Sequence, residues 1–316
     1  MKSWVTSVQQ FLRSHANLHR QGEKPNILIF SLPRSGSTWL QELIWTQPGF
    51  KYCNEPLNLK GPFLREKSKI SGFDELYSEQ VEQKLIDYFK GFTSGKFHFL
   101  DPNPLRKNYR LFTNRIVFKV IHGGEFYINN IASAINGRVV YLLRHPIPVS
   151  LSRRQLPRME QLCSDWVLDH FPDKIKVYAK ELNAKGDGMQ RRILAWCIQN
   201  KLALLKRNDS WLVLTYEQLV CEPNVVIGKL AEHLDLPKKD RMIDQVYVPS
   251  AVSVQSEASS LELMKDTDDL RTSLVSKWKT KVDESMMKDY LAICANMEMT
   301  VYDDKSGYPK EAWVIK

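Results

Sequence analysis

Four runs of apolar residues punctuate the chain: Asn26 to Phe30, Arg115 to Ile121, Val139 to Leu143 and Trp211 to Leu214. Their apolar positions are largely continuous rather than alternating, the pattern of strands buried on both faces. After each comes a segment with helix-compatible spacing: Ser37 to Thr46, Glu125 to Ile135, Pro146 to Arg154 and Tyr216 to His233. This alternation predicts an α/β fold in three layers, a mostly parallel central sheet flanked by helices. Stretches at about 57–110 and 157–188 are rich in aromatic and charged residues and too long for simple connections. In an open parallel sheet ligands sit beyond the strand carboxyl ends, so these insertions are expected to shape a pocket. Val248 to Thr280 reads as loop around a lone Trp278, and Trp4, Val5, Val8, Phe11 and Leu12 share one face of a short amphipathic helix. No repeat or linker divides the chain, so 1–316 reads as a single domain with its scaffold at about 24–300.

The first apolar run stops at Pro33-Arg34-Ser35-Gly36-Ser37-Thr38, and a helical pattern begins at once. A strand that turns through small residues into a helix presents backbone N–H groups and the helix dipole to one anion. Gly36 permits close approach, Ser35, Ser37 and Thr38 add hydroxyl donors, and Arg34 adds a permanent charge. A helix cap needs only one such hydroxyl, so this set favours a phosphate site. It is not the GxxxxGK[ST] loop, because the earlier glycine and the following lysine are both missing. That counts against an ATP- or GTP-dependent kinase.

Composition narrows the partners without choosing one. Lys+Arg 45 against Asp+Glu 36 gives a formal net charge of +9, which favours anionic ligands. The five cysteines are scattered, odd in number and without CxxC spacing. Reduced thiols in a cytoplasmic protein are expected, with neither a zinc site nor a disulfide framework. No stretch is long and apolar enough to span a membrane, and the N-terminus lacks the apolar core of a signal peptide.

Pro33-Arg34-Ser35-Gly36-Ser37-Thr38-Trp39 resembles the 5′-phosphosulfate loop of sulfotransferases that use 3′-phosphoadenosine 5′-phosphosulfate (PAPS), with the pattern P-[KR]-S-G-[ST]-T-W. Three further segments are similar to that family. Val139 to Leu143 leads into Arg144, with Ser152 eight residues on; the resemblance implies that this pair binds the 3′-phosphate. Leu214-Thr215-Tyr216-Glu217 is similar to the strand end whose tyrosine lies beside the adenine. Arg271, Trp278 and Lys279 match the R-K-G-x-x-G-D-W-K loop, although Ser273 and Ser276 replace its glycines. By the same resemblance Arg34, Ser35, Gly36, Ser37 and Thr38 hold the phosphosulfate, and Trp39 stacks on the adenine. The implied fold is the P-loop NTPase-like sulfotransferase fold.

Sulfuryl transfer needs an in-line acceptor, a base and positive charge at the leaving phosphate, as phosphoryl transfer does. Arg34 supplies charge but cannot donate a proton near neutral pH, so electrostatic stabilisation is its expected role. Two residues compete as base. Glu55, in Asn54-Glu55-Pro56, matches the glutamate of tyrosylprotein and several bacterial and carbohydrate sulfotransferases, and its place before proline predicts an extended backbone. His122 lies one residue beyond the histidine of phenol and steroid sulfotransferases. Glu55 ranks ahead; Lys119 and Glu125 stand near the same strand end. Arg153, Arg154 and Arg158 line the cofactor, attract an anionic acceptor or form a solvated face, and Phe97, His98, Phe99, Tyr109 and Phe112 form an aromatic acceptor wall or core.

The expectation is a PAPS-dependent sulfotransferase, cytoplasmic and without a metal. Its acceptor is expected to be a small hydroxylated or amine-bearing molecule, a natural product by preference, with no nucleic-acid or membrane partner. Oligomeric state is not specified by the sequence. The rivals are a small-molecule kinase and a non-catalytic polyanion-binding protein; an Arg144–Ser152 pair and four ordered nucleotide-contacting segments count against them.

Overall fold

The computed structural model describes residues 18–97, 106–153, 158–248, 250, 268–302 and 307–315. The amphipathic helix expected before residue 18, and His98, Phe99 and Arg154, lie outside the described residues.

Five strands form one parallel sheet: β2 (Asn26–Ser31), β3 (Phe50–Asn54), β5 (Arg115–Val120), β6 (Gly137–Leu143) and β7 (Trp211–Thr215), in the order β3-β5-β2-β6-β7. A separate two-stranded ribbon pairs β1 (Leu18–His19) with β4 (Phe112–Thr113). Alternate residues of β2 explain the three layers. Ile27 and Ile29 pack with Leu40, Leu43 and Ile44 of the following helix. Leu28 and Phe30 pack into the opposite core with Ile131, Leu194 and Trp196. Both faces of the strand are therefore covered, which is why it reads as an unbroken apolar run. Among the described residues no helix is long and apolar enough to cross a membrane.

Several boundaries differ from the sequence reading. Tyr216 to His233 is two helices, Tyr216–Cys221 and Pro223–Leu234, because Pro223 cannot donate a helical hydrogen bond and opens the second at its first position. The segment after Gly124 begins as a 3₁₀ turn, Glu125–Tyr127, before the helix Ile128–Ala134. The loop expected from Val248 to Thr280 is helical at Asp268–Ser276 and 3₁₀ at Lys277–Lys281. Val275 and Trp278 drive that outcome, since both are buried in the core. The first insertion also contributes to the core: the helix Glu82–Thr93 sets Phe89 against Phe118 of β5, ring centroids 5.2 Å apart.

Candidate active site

Because all five strands run parallel, their carboxyl ends share one edge, and Arg34, Glu55, His122, Arg144 and Tyr216 each follow the end of a strand there. After β2 the chain turns sharply: Arg34 (φ 73°) and Gly36 (φ 87°) both take left-handed backbone. Gly36 is fixed twice, since a Cβ there would sit 2.5 Å from Cδ2 of Tyr216, which begins the helix after β7. The helix that follows, Ser37–Trp45, has no side-chain cap and no acid in its first turn. Its amino end is open to an anion.

Register brings the proton-transfer candidates to that turn. In β5, Lys119 pairs with Ile29 of β2 on one side and Asn54 of β3 on the other. The Glu55 amide donates to the Lys119 carbonyl at 3.0 Å, which sets Glu55 beside Lys119. The buried Lys119 ammonium donates to Thr38 Oγ1 at 2.8 Å and pairs with Glu55 Oε1 at 2.9 Å. Glu55 Oε2 lies 3.3 Å from His122 Nε2 and accepts from Asn58 Nδ2 at 3.1 Å. A continuous file of polar contacts thus runs Thr38, Lys119, Glu55, His122. Partial burial pushes the Glu55 carboxyl up, but the His122 hydrogen bond and the Lys119 charge together outweigh it and hold the group at about 2.

The backbone at Glu55 departs from expectation. It is not extended but left-handed, with φ 52°. The chain reverses there, as the Asn58 amide donates to the Glu55 carbonyl at 3.0 Å. Such a conformation costs about 1–3 kcal/mol and persists where surrounding contacts over-determine it; the contacts to Lys119, His122 and Asn58 do so.

The remaining candidates form a second group. Arg144, at the end of β6, donates from NH1 to the Arg34 carbonyl at 3.0 Å and lays its guanidinium 4.1 Å from the Tyr216 ring centroid. Its Nε is buried without a partner. Trp39 meets Tyr216 edge-on at 5.9 Å and donates from Nε1 to the Val246 carbonyl at 3.2 Å. Ser152 turns its hydroxyl back to the Val149 carbonyl at 3.0 Å. Arg271 donates to the Tyr247 hydroxyl at 3.1 Å. Trp278 is buried and stacked on His145, the residue after Arg144, at 4.4 Å, with Lys279 Nζ 6.0 Å from its ring. Direct contacts therefore join Arg34, Arg144, Tyr216 and Trp39, whereas Ser152 and Trp278 are tied to their own surroundings.

On the far side of His122, Phe73 approaches it edge-on at 5.9 Å and carries the Arg158 guanidinium 3.3 Å from its ring centroid. Phe73 was not anticipated; its only signal was its place in an aromatic-rich insertion. Of the aromatic set read as wall or core, Phe97, Tyr109 and Phe112 are among the described residues. Phe97 packs in the core with Tyr88 and Phe92. Phe112 is exposed and, like Tyr109, precedes β5, so both lie toward the amino end of that strand, away from the site edge. Lys119 carried a clearer signal, an ammonium placed between Phe118 and Val120 in the apolar part of β5.

Known proteins compare as follows. The luciferin sulfotransferase of Photinus pyralis is 24% identical over 224 residues, covering 70% of this chain and 54% of that protein. The chain thus spans about half the length of this curated relative. The sulfotransferase domain from the curacin biosynthetic pathway aligns over 87% of this chain and 98% of its own, at 17% identity and TM-score 0.44. The domain from the Synechococcus PCC 7002 olefin synthase aligns over 91% and 98%, at 16% identity and TM-score 0.45. A mouse sulfotransferase complexed with PAP aligns over 88% and 86%, at 14% identity and TM-score 0.46. The sulfotransferase domain as a family matches residues 24–303, from the strand before the anion turn to beyond Trp278, and the chain belongs to that family, whose enzymes carry out sulfuryl transfer.

Proposed function

We propose that the chain moves a sulfuryl group from PAPS to a hydroxyl or amine of a small-molecule acceptor, in line and with general-base assistance. The observation that carries this reading is the file Thr38, Lys119, Glu55, His122, which links the anion turn to a proton acceptor. Features of the chain suit the nucleotide. Gly36 leaves no room for a side chain, the first helical turn is uncapped, and Arg144 touches both Arg34 and Tyr216 while its buried Nε has no partner. Arg34, Ser35, Ser37 and Thr38 would hold the phosphosulfate, Arg144, Ser152 and Arg271 the 3′-phosphate, and Trp39 and Tyr216 the adenine. Trp278 and Lys279 would support that end. When bound, the nucleotide supplies the activated sulfuryl group and its phosphate leaving group.

Arg34 and Lys119 offer fixed positive charge at the turn, where negative charge grows as the leaving oxygen departs. The roles of Glu55 and His122 follow from their contact. A carboxylate held at about 2 has little affinity for a proton. The ranking of Glu55 over His122 therefore gives way to a shared role: the carboxylate fixes the Nε2–H tautomer and leaves Nδ1 to accept the acceptor's proton. The odd number of thiols supports a reducing, cytoplasmic setting, and a natural product is the preferred acceptor.

Sulfur-labelled PAPS offered with a mixed pool of hydroxylated and amine-bearing metabolites tests the reading. Label should enter an organic product with the wild type and not with His122→Ala. Transfer of phosphorus label from γ-labelled ATP, or no sulfur transfer from PAPS, would refute it.

A further inference from the structure

Next to His122 and Phe73 lie two guanidiniums, those of Arg158 and Arg153. Arg158 stacks on Phe73 at 3.3 Å from the ring centroid, and Phe73 is in edge contact with His122. NH1 of Arg153 is shielded from solvent without a hydrogen-bond partner. Among the described residues Glu125 is the carboxyl whose charge acts on both guanidiniums, Asp74 acting on Arg158 alone; Glu125 is buried at 6% exposure, with Oε1 accepting from Gln199 Nε2 at 3.0 Å and Oε2 unpartnered. Burial pushes that carboxyl up and the Arg153 guanidinium down to about 10. Gln199 also donates to Tyr77 at 3.2 Å, so its amide is already committed. A buried guanidinium facing a carboxyl that resists ionisation is costly unless an external anion completes it.

We propose that Arg153 and Arg158 form a subsite for a carboxylate carried by the acceptor. This rests on the sulfotransferase reading and deepens it, since it names the acceptor class: a hydroxy acid whose carboxylate stands about one aromatic ring from the reacting hydroxyl. The Phe73 ring sets that separation, because it touches both His122, edge-on at 5.9 Å, and Arg158, at 3.3 Å from its centroid. Arg158 pairs with the carboxylate in fork geometry while Phe73 restrains its plane. Arg153, held deeper, gains the partner that its NH1 lacks. Arg34 and Lys119 remain committed to the anion turn, so the two anion sites are distinct.

The test uses acceptor pairs that differ only in charge, para-hydroxyphenylacetate and para-hydroxycinnamate against their methyl esters. Calorimetry in the presence of saturating 3′,5′-ADP measures binding without turnover. The acids should bind roughly 10- to 100-fold more tightly than the esters, the value of a charge-assisted contact. Arg158→Gln should collapse that ratio toward one, and Arg158→Lys should restore part of it. An unchanged thermal shift with 3′,5′-ADP would show that the variants are folded. A ratio near one in the wild type, failure of both acids to bind, or a preference that survives both Arg158→Gln and Arg153→Gln would overturn the proposal. Failure of the PAPS reading is separately visible as loss of the 3′,5′-ADP shift in the wild type, with acid and ester then compared without nucleotide.

Discussion

Gly36→Ala is the sharpest probe of the anion turn, because two independent costs fall on one methyl group. Alanine at φ 87° enters the left-handed region, at about 1–2 kcal/mol. Its Cβ would also lie 2.5 Å from Tyr216 Cδ2 and 2.8 Å from Cε2. The ring is not free to move aside, since it carries Arg144 at 4.1 Å and meets Trp39. Overpacking of this kind costs about 1–3 kcal/mol. The sum, ~2–5 kcal/mol, corresponds to a fall in Tm of roughly 3–8 °C for a chain of 316 residues. Thermal unfolding of the single variants and of Gly36→Ala with Tyr216→Ala separates the two parts. Removing the ring should cancel the clash and leave the backbone cost, giving a coupling of ~1–3 kcal/mol. A Tm within 1 °C of wild type, or costs that simply add, would refute the reasoning (both thresholds are of the order of measurement error).

Three further outcomes are expected. Glu55→Gln and His122→Ala should each lower kcat on the order of 10²–10⁴-fold, and the double variant should be no worse than the poorer single. Losses that multiply would mean the two act separately. The depressed Glu55 pKa implies stability that is present above its ordinary value and lost as pH falls through it toward about 2. Acid titration of Tm should therefore show a steeper limb below pH ~5 in the wild type than in Glu55→Gln, and parallel limbs would contradict the ion pair. Arg34→Ala should reduce kcat far more than 3′,5′-ADP affinity, with Arg34→Lys restoring much of the rate; an Ala variant of near-normal turnover would make Arg34 structural.

The scaffold was legible where burial on both faces left continuous apolar runs, as in β2 and β6. β3 was not, because Phe50-Lys51-Tyr52-Cys53-Asn54 interrupts its apolar residues with a lysine that the fold nevertheless buries. The helix Gly188–Leu205 was missed although its start is marked: Asp187 and Gln190 form a capping box. Of the site, the anion turn was readable because strand, turn and helix are local in sequence. The Thr38–Lys119 contact spans 81 residues and depends on which strand lies beside β2. No local pattern shows strand order, so Lys119 stayed secondary, and the 3.3 Å contact between Glu55 and His122, weighed as alternative bases, was not foreseen. Trp278 was marked by its motif as a nucleotide residue; its burial against His145 depends on a helix that the polar composition of the segment concealed.

The central claim is that the site is built for a nucleotide with a 3′-phosphate, and one measurement bears on it most directly: the shift in Tm at matched concentrations of 3′,5′-ADP and 5′-AMP. A ligand stabilises only so far as it prefers the folded state. With Arg144, Ser152 and Arg271 engaging the extra phosphate, 3′,5′-ADP should raise Tm clearly more than 5′-AMP, and Arg144→Ala should erase the difference. Equal shifts from the two nucleotides, or a larger one from Mg-ATP, would contradict the account.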